Sequence, residues 1–160
     1  MQTPDYYDEP GDPILAPSRE YRRAPADGIW AAGDRVIWLS ALILSLSTFM
    51  DWYTGSGVGV QLAVIGWHTG ALGKLVFFIG FVVLAIVVAR AFGLELPPSF
   101  PESLVVLALG VLATVFVLVR VISIPDSVLP ANGRGIGIWI SLLAALGLVA
   151  GGLLRAAEDL

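Results

Sequence analysis

The sequence predicts an all-α membrane protein, a four-transmembrane-helix bundle with a short β-ribbon or hairpin between its first and second helices. Two observations carry this reading. The chain is 57% hydrophobic and only 14% charged, with a mean hydropathy of +0.84, so it has too little polar surface to meet water on every side. Its apolar residues also fall into four runs, and each is about as long as the roughly 20 helical residues needed to cross a hydrocarbon layer about 30 Å thick.

Residues 1–33 come first and differ from the rest. They are rich in Pro, Asp, Ala and Gly, lack an apolar period of 2 or 3.6, and hold the acids Asp5, Asp8, Glu9, Asp12, Glu20 and Asp27 with the arginines Arg19, Arg22 and Arg23. Such a stretch lacks the apolar surface to offset the entropy of ordering it, and a disordered acidic tail is expected. It is not a secretory signal, because acids precede the positive charges and no short apolar run leads to an Ala-x-Ala site. Tyr6, Tyr7 and Tyr21 read as scattered aromatics of that tail.

The transmembrane domain is expected over residues 34–160, with spans at about 36–53, 71–92, 103–122 and 136–154. Trp38 and Trp52-Tyr53 bracket the first span as interfacial anchors. Gly93 and Pro97-Pro98 close the second. Pro101-Glu102 opens the third, since a first helical turn needs no proline N–H and its dipole favours a carboxylate. Pro125-Asp126 and Pro130 separate the third from the fourth. With four spans both termini share a side. That side collects Arg19, Arg22, Arg23, Arg35, Arg90 and Arg155, against Lys74, Arg120 and Arg134 on the other, so both termini are expected in the cytoplasm of a plasma-membrane protein.

Between the first two spans lie two near-copies of a tetrapeptide, Trp52-Tyr-Thr-Gly and Trp67-His-Thr-Gly. Val58, Val60, Leu62 and Val64 alternate with small or polar residues, which is a strand period, and Thr54-Gly55-Ser56-Gly57 has turn chemistry. This ribbon is expected over the outer helix ends, with Trp52 and Trp67 at the headgroup level and Trp52, Trp67 and His68 as outer contacts. An ion pair of Asp51 with Arg120 or Lys74 is expected at the same boundary, where all three residues fall.

Catalytic and metal chemistry find little support in the residues. The cysteine-free chain has no thiolate ligand or nucleophile. His68 is the only histidine and has at best Asp51 and Asp126 for company, short of a three-ligand zinc site, and no cofactor is expected. Ser56, His68 and Asp126 supply the residue types of a hydrolase without the strained G-x-S-x-G turn. The net charge of −4 and the absence of a basic cluster argue against nucleic acid. Ser40, Ser47, Thr48 and Asp51 form a thin polar stripe on the first span, read as interhelical hydrogen bonding rather than a conduction path. Gly137, Ser141, Gly147 and Gly151 continue a small-residue face along the fourth span, as Gly110 and Thr114 do on the third. Such a seam serves either packing within the bundle or self-association through Gly147 and Gly151.

The runs Gly66-Trp-His-Thr-Gly-Ala-Leu-Gly-Lys-Leu-Val-Phe-Phe, Leu96-Pro-Pro-Ser-Phe-Pro-Glu-Ser-Leu and Gly133-Arg-Gly-Ile-Gly-Ile-Trp-Ile-Ser-Leu-Leu-Ala-Ala-Leu resemble small four-span integral membrane proteins of actinobacteria. The likeness runs from about Val36 onward. It implies a bacterial plasma-membrane location and no established activity. The arrangement of a strand-bearing first loop over four helices also resembles claudins, whose tryptophan-cysteine-cysteine pattern is missing here. The expectation is a non-enzymatic accessory or scaffold subunit contacting lipid and other membrane proteins. A small oligomeric transporter or channel subunit is the alternative.

Overall fold

A computed structural model describes residues 32–57, 60–94, 101–123 and 133–158. The elements run α1 (Ala32–Ser47), β1 (Asp51–Gly57), β2 (Val60–Ile65), a single 3-10 turn at Gly66–His68, α2 (Ala71–Ala91), α3 (Glu102–Ile122), β3 (Gly133–Arg134) and α4 (Ile136–Glu158). The protein is therefore mostly helical, with four helices and a small antiparallel sheet. Of the helices α2, α3 and α4 are long and apolar enough to cross a membrane.

The helices form close to where the sequence places them, except that α4 runs past the expected 154 to Glu158 and the first helix differs at both ends. The expected 36–53 span is shifted: α1 begins at Ala32 and ends at Ser47, and residues 51–53 are already strand. Its end is fixed by side chains that take carbonyls at the helix terminus. Ser47 Oγ donates to the Leu44 carbonyl at 2.7 Å, Thr48 Oγ1 to Ser45 at 2.7 Å, and the Trp52 indole N–H to Ser47 at 2.9 Å. These satisfy acceptors that a helix end leaves unpaired. The tail expected over residues 1–33 lies outside the described residues, apart from Ala32 and Gly33, which belong to α1.

At the end of α2 the chain reverses through Gly93, whose φ of 78° lies in the left-handed region that favours glycine. Gly93 N–H donates to the Arg90 carbonyl at 2.8 Å and Leu94 N–H to Ala89 at 3.0 Å, the paired reverse bonds of a Schellman stop.

Packing follows one rule in all four helices. Buried positions recur at three- and four-residue intervals: Ile37, Ala41, Leu44 and Thr48 from α1 and its end, then Val76, Ile79, Val83 and Val87 in α2. The same holds for Ser103, Val106, Gly110, Ala113 and Val117 in α3, and for Ile138, Ser141, Ala145 and Leu148 in α4. The stripes are dominated by small and β-branched residues, so the backbones approach closely. Each helix packs on two others, α1 on α2 and α4, and α3 on α2 and α4, which closes a ring. The opposite faces are apolar and uncovered: Leu46, Phe81, Val115 and Leu143 are 57%, 56%, 48% and 70% exposed.

The sheet has the order β2-β1-β3. β1 and β2 form the ribbon between α1 and α2, paired antiparallel from Asp51↔Ile65 to Gly57↔Val60 with an irregularity between Asp51 and Tyr53. Thr54–Gly57 therefore belongs to β1 rather than to a turn. β3 comes from the segment before α4 and pairs Tyr53↔Arg134 and Thr54↔Gly133. That third strand was not foreseen.

Candidate functional site

The chemistry-bearing side chains gather at the two ends of the bundle. One end joins the start of α1, the end of α2, the start of α3 and the end of α4, and each contributes one member of a square of ion pairs. Asp34 Oδ2 lies 2.6 Å from Arg90 Nη2, and Asp34 Oδ1 accepts from Arg155 Nη1. Glu102 closes the square, with Oε1 at 3.4 Å from Arg90 Nη1 and Oε2 at 3.7 Å from Arg155 Nη2. Asp34 is the one charged residue among those described that is buried, at 5% exposure. Each member also suits its helix: the acids stand in first turns, where free N–H groups attract a carboxylate, and the bases stand at or near last turns, where carbonyls attract a cation.

The sheet caps the other end, and here the basic residues meet backbone. Arg120 Nη2 donates to the Thr69 carbonyl, and the Tyr53 hydroxyl donates to the Arg120 carbonyl at 2.7 Å. Arg134 Nε donates to the Val121 carbonyl at 2.6 Å. Backbone bonds join the same pieces: Gly135 N–H to Trp52 O at 2.8 Å, and Trp67 N–H to Thr48 O at 2.8 Å. Burial raises the pKa of the Tyr53 phenol above its ordinary value, with the nearby charges of Arg120 and Arg134 opposing it.

The predicted site residues divide accordingly. Trp52 is not an outer contact: it is 0% exposed, and its indole lies against Gly66, where an added Cβ would come within 2.5 Å of the ring. Trp67 is half-buried, its ring 5.8 Å from Phe49 in a stacked arrangement and 5.3 Å from Phe77 edge-on. His68 is exposed. The expected pairing of Asp51 with Arg120 or Lys74 is not present. Arg120 takes the Thr69 carbonyl, Lys74 Nζ lies 5.7 Å from the centre of the Trp67 ring, and none of the ion pairs among the described residues involves Asp51. Arg120 instead reaches the residue that closes the 3-10 turn.

The small-residue seam of α4 faces α1 of the same chain. Gly147 lies against Ser40, Gly151 against Ile37, and Gly137 against Met50 and the Asp51 carbonyl. Ser141 Oγ shares a 2.6 Å hydrogen bond with Ser47 Oγ and donates to Gly137 O at 2.9 Å when it is not donating to Ser47. These glycines are thus occupied within the bundle and do not present a free face for self-association.

Among the described residues no three His, Asp or Glu side chains converge on a common point. Asp126, the third residue of the Ser56, His68 and Asp126 set, lies outside the described residues, as does the Ser56 side chain. The charge square was missed at the sequence level, although its signal was there. Asp34 and Glu102 begin helices, Arg90 and Arg155 end them, and in an antiparallel ring such residues must alternate at one end. No protein-family model, curated protein or solved structure matches this chain.

Proposed function

We propose that this chain is an integral membrane protein in which α1 crosses the bilayer together with α2, α3 and α4, and that it serves as a non-enzymatic accessory or scaffold subunit. The observation that carries the reading is the apolar belt. All four helices expose large hydrophobic side chains between two polar ends, and Leu39, Ile43 and Leu46 continue that belt onto α1. With 16 residues α1 is about 24 Å long, short of the hydrocarbon thickness, and the turn at residues 48–50 with exposed Phe49 and Met50 extends its apolar length. The charge square belongs on the cytoplasmic side, which leaves the sheet outside and both termini inside. A bacterial plasma membrane is the location that the resemblance to actinobacterial four-span proteins supports.

The scaffold assignment draws on how the charges are used. Asp34, Arg90, Glu102 and Arg155 bind one another, and the middle of the ring is filled by Leu44, Val83, Val106, Ala113 and Leu148. A transporter or channel subunit is the second reading. It has the buried hydroxyls of Ser40, Ser45, Ser47, Thr48 and Ser141 in its favour, of which Ser45 Oγ has no hydrogen-bond partner among the described residues. Copurification in mild detergent with mass spectrometry, together with solute flux in liposomes, separates the two. A stable protein partner with flux no greater than in empty vesicles supports the scaffold. Flux that disappears on changing Asp51 or Arg120 would replace it with the transporter.

A further inference from the structure

We infer that the sheet-capped end binds an anionic phospholipid, with Lys74 above Trp67 receiving the headgroup and the ring ladder of Phe77, Phe78 and Phe81 receiving an acyl chain. This rests on the membrane reading above. Charge is the first support. Among the described residues that end carries Lys74, Arg120 and Arg134 against the single carboxylate of Asp51, whereas the other end balances Arg35, Arg90 and Arg155 with Asp34, Glu102 and Glu158. Arg120 and Arg134 use their N–H groups on carbonyls, which satisfies hydrogen bonds without cancelling charge. Lys74 makes no ion pair among the described residues, and its ammonium rests 5.7 Å from the Trp67 centroid.

Geometry is the second support. Lys74, Phe77, Phe78 and Phe81 follow at i, i+3, i+4 and i+7 on one face of α2, a ladder about 10 Å long at 1.5 Å per residue. The rings form one connected array: Phe77 and Phe78 meet edge-on at 5.5 Å, Phe77 and Phe81 stack at 6.2 Å, and Trp67 joins through Phe77. Phe78 and Phe81 are 52% and 56% exposed. A headgroup at Lys74 would sit beside the first turn of α2, whose N-cap Gly70 brings no side-chain oxygen to the free N–H groups. The chain below it would lie along the rings, as the hydrocarbon depth of a ladder descending from the boundary requires. An apolar partner helix offers Lys74 no counter-charge and a zwitterionic lipid offers its phosphate together with a cationic choline, so a lipid with net negative charge matches the uncancelled charge of this end best.

The test uses full-length protein in phosphatidylcholine bilayers containing brominated-chain phosphatidylglycerol or, at equal mole fraction, brominated-chain phosphatidylcholine. The Trp67 contribution to fluorescence quenching is the difference between wild type and Trp67→Phe. One lysine near a membrane surface corresponds to a roughly fivefold enrichment of anionic lipid, so quenching of Trp67 should favour phosphatidylglycerol by about that factor. Lys74→Gln should lower the preference severalfold, to what the charges of Arg120 and Arg134 sustain, and Lys74→Arg should keep it. Equal quenching by the two lipids, or a preference undiminished in Lys74→Gln, overturns the site. A preference that fades as the protein-to-lipid ratio rises also overturns it, because a second copy then covers the face. If neither lipid quenches any tryptophan, the membrane reading itself has failed, and that result is distinct from the others.

Discussion

At one end of the bundle four charged side chains, one from each helix, neutralise one another, while at the other the arginines donate to backbone carbonyls and a buried indole does the joining. The contrast follows from helix direction. In an antiparallel ring the helix termini at either end alternate N, C, N, C, so acids and bases placed for their own helix dipoles are already placed for one another. The sequence takes this opportunity at the Asp34 end. At the sheet end Arg120 agrees with its helix terminus, Lys74 stands in a first turn against it, and no acid begins α2 or α4. The first end therefore depends on charge and the second on shape and hydrogen bonding.

Trp52→Ala should have the largest effect on this contrast. It empties a site that is 0% exposed and removes the donor to the Ser47 carbonyl, at a cost of about 3–5 kcal/mol. Thermal unfolding in detergent measures it, and the loss should not vary with salt. A loss that shrinks in high salt would mean that charge also holds this end.

Asp34→Asn comes next, at about 3 kcal/mol, since it leaves two guanidiniums facing Glu102 alone. The lower part of the usual range applies because the arginine side chains are 17% and 19% exposed. Adding Arg155→Gln should restore part of the loss in a double-mutant cycle. Strict additivity of the two changes would dissolve the square into independent contacts.

Tyr53→Phe sharpens the comparison by pH. Losing the 2.7 Å bond to the Arg120 carbonyl should cost about 1 kcal/mol at neutral pH. The raised phenol pKa means that the folded protein holds its proton where the unfolded chain has begun to release it. This contribution is complete below the ordinary tyrosine pKa of 10.0 and is lost as pH climbs from there through the folded value. Wild type should therefore destabilise in that alkaline window more steeply than the phenylalanine variant, as alkaline unfolding curves of the two proteins would show.

Ser141→Ala should have the smallest effect, about 0.6 kcal/mol, because Ser47 Oγ keeps the Leu44 carbonyl when its 2.6 Å partner is gone. A cost several times larger in the same unfolding assay would show that the hydroxyl seam, and not only the two ends, fixes α1 against α4.

Much of the fold was legible locally. The apolar runs gave α2 and α3 almost to the residue, because Gly93 and Pro101 interrupt helices by backbone chemistry that acts within a turn. The ribbon was legible from alternation, yet its boundary was misplaced, since Gly55 and Gly57 look like a turn until pairing with Leu62 and Val60 makes them strand. β3 was illegible: two residues carry no period, and Gly133–Arg134 become a strand only because Tyr53 and Thr54 lie beside them.

The site divides along the same line. Residue types alone determined that ions gather near the helix ends, that small residues line α4, and that tryptophan and tyrosine mark the junction of helix and loop, because solvation and close approach are properties of each residue and its near neighbours. Which partner each group takes was decided by tertiary structure. Asp34 meets Arg155 across 121 positions of sequence, Arg120 reaches Thr69 instead of Asp51, and Trp52 turns inward over Gly66. Hydrogen bonds and ion pairs act over a few ångströms, and only the closed ring of helices brings such distant parts of the chain within that reach.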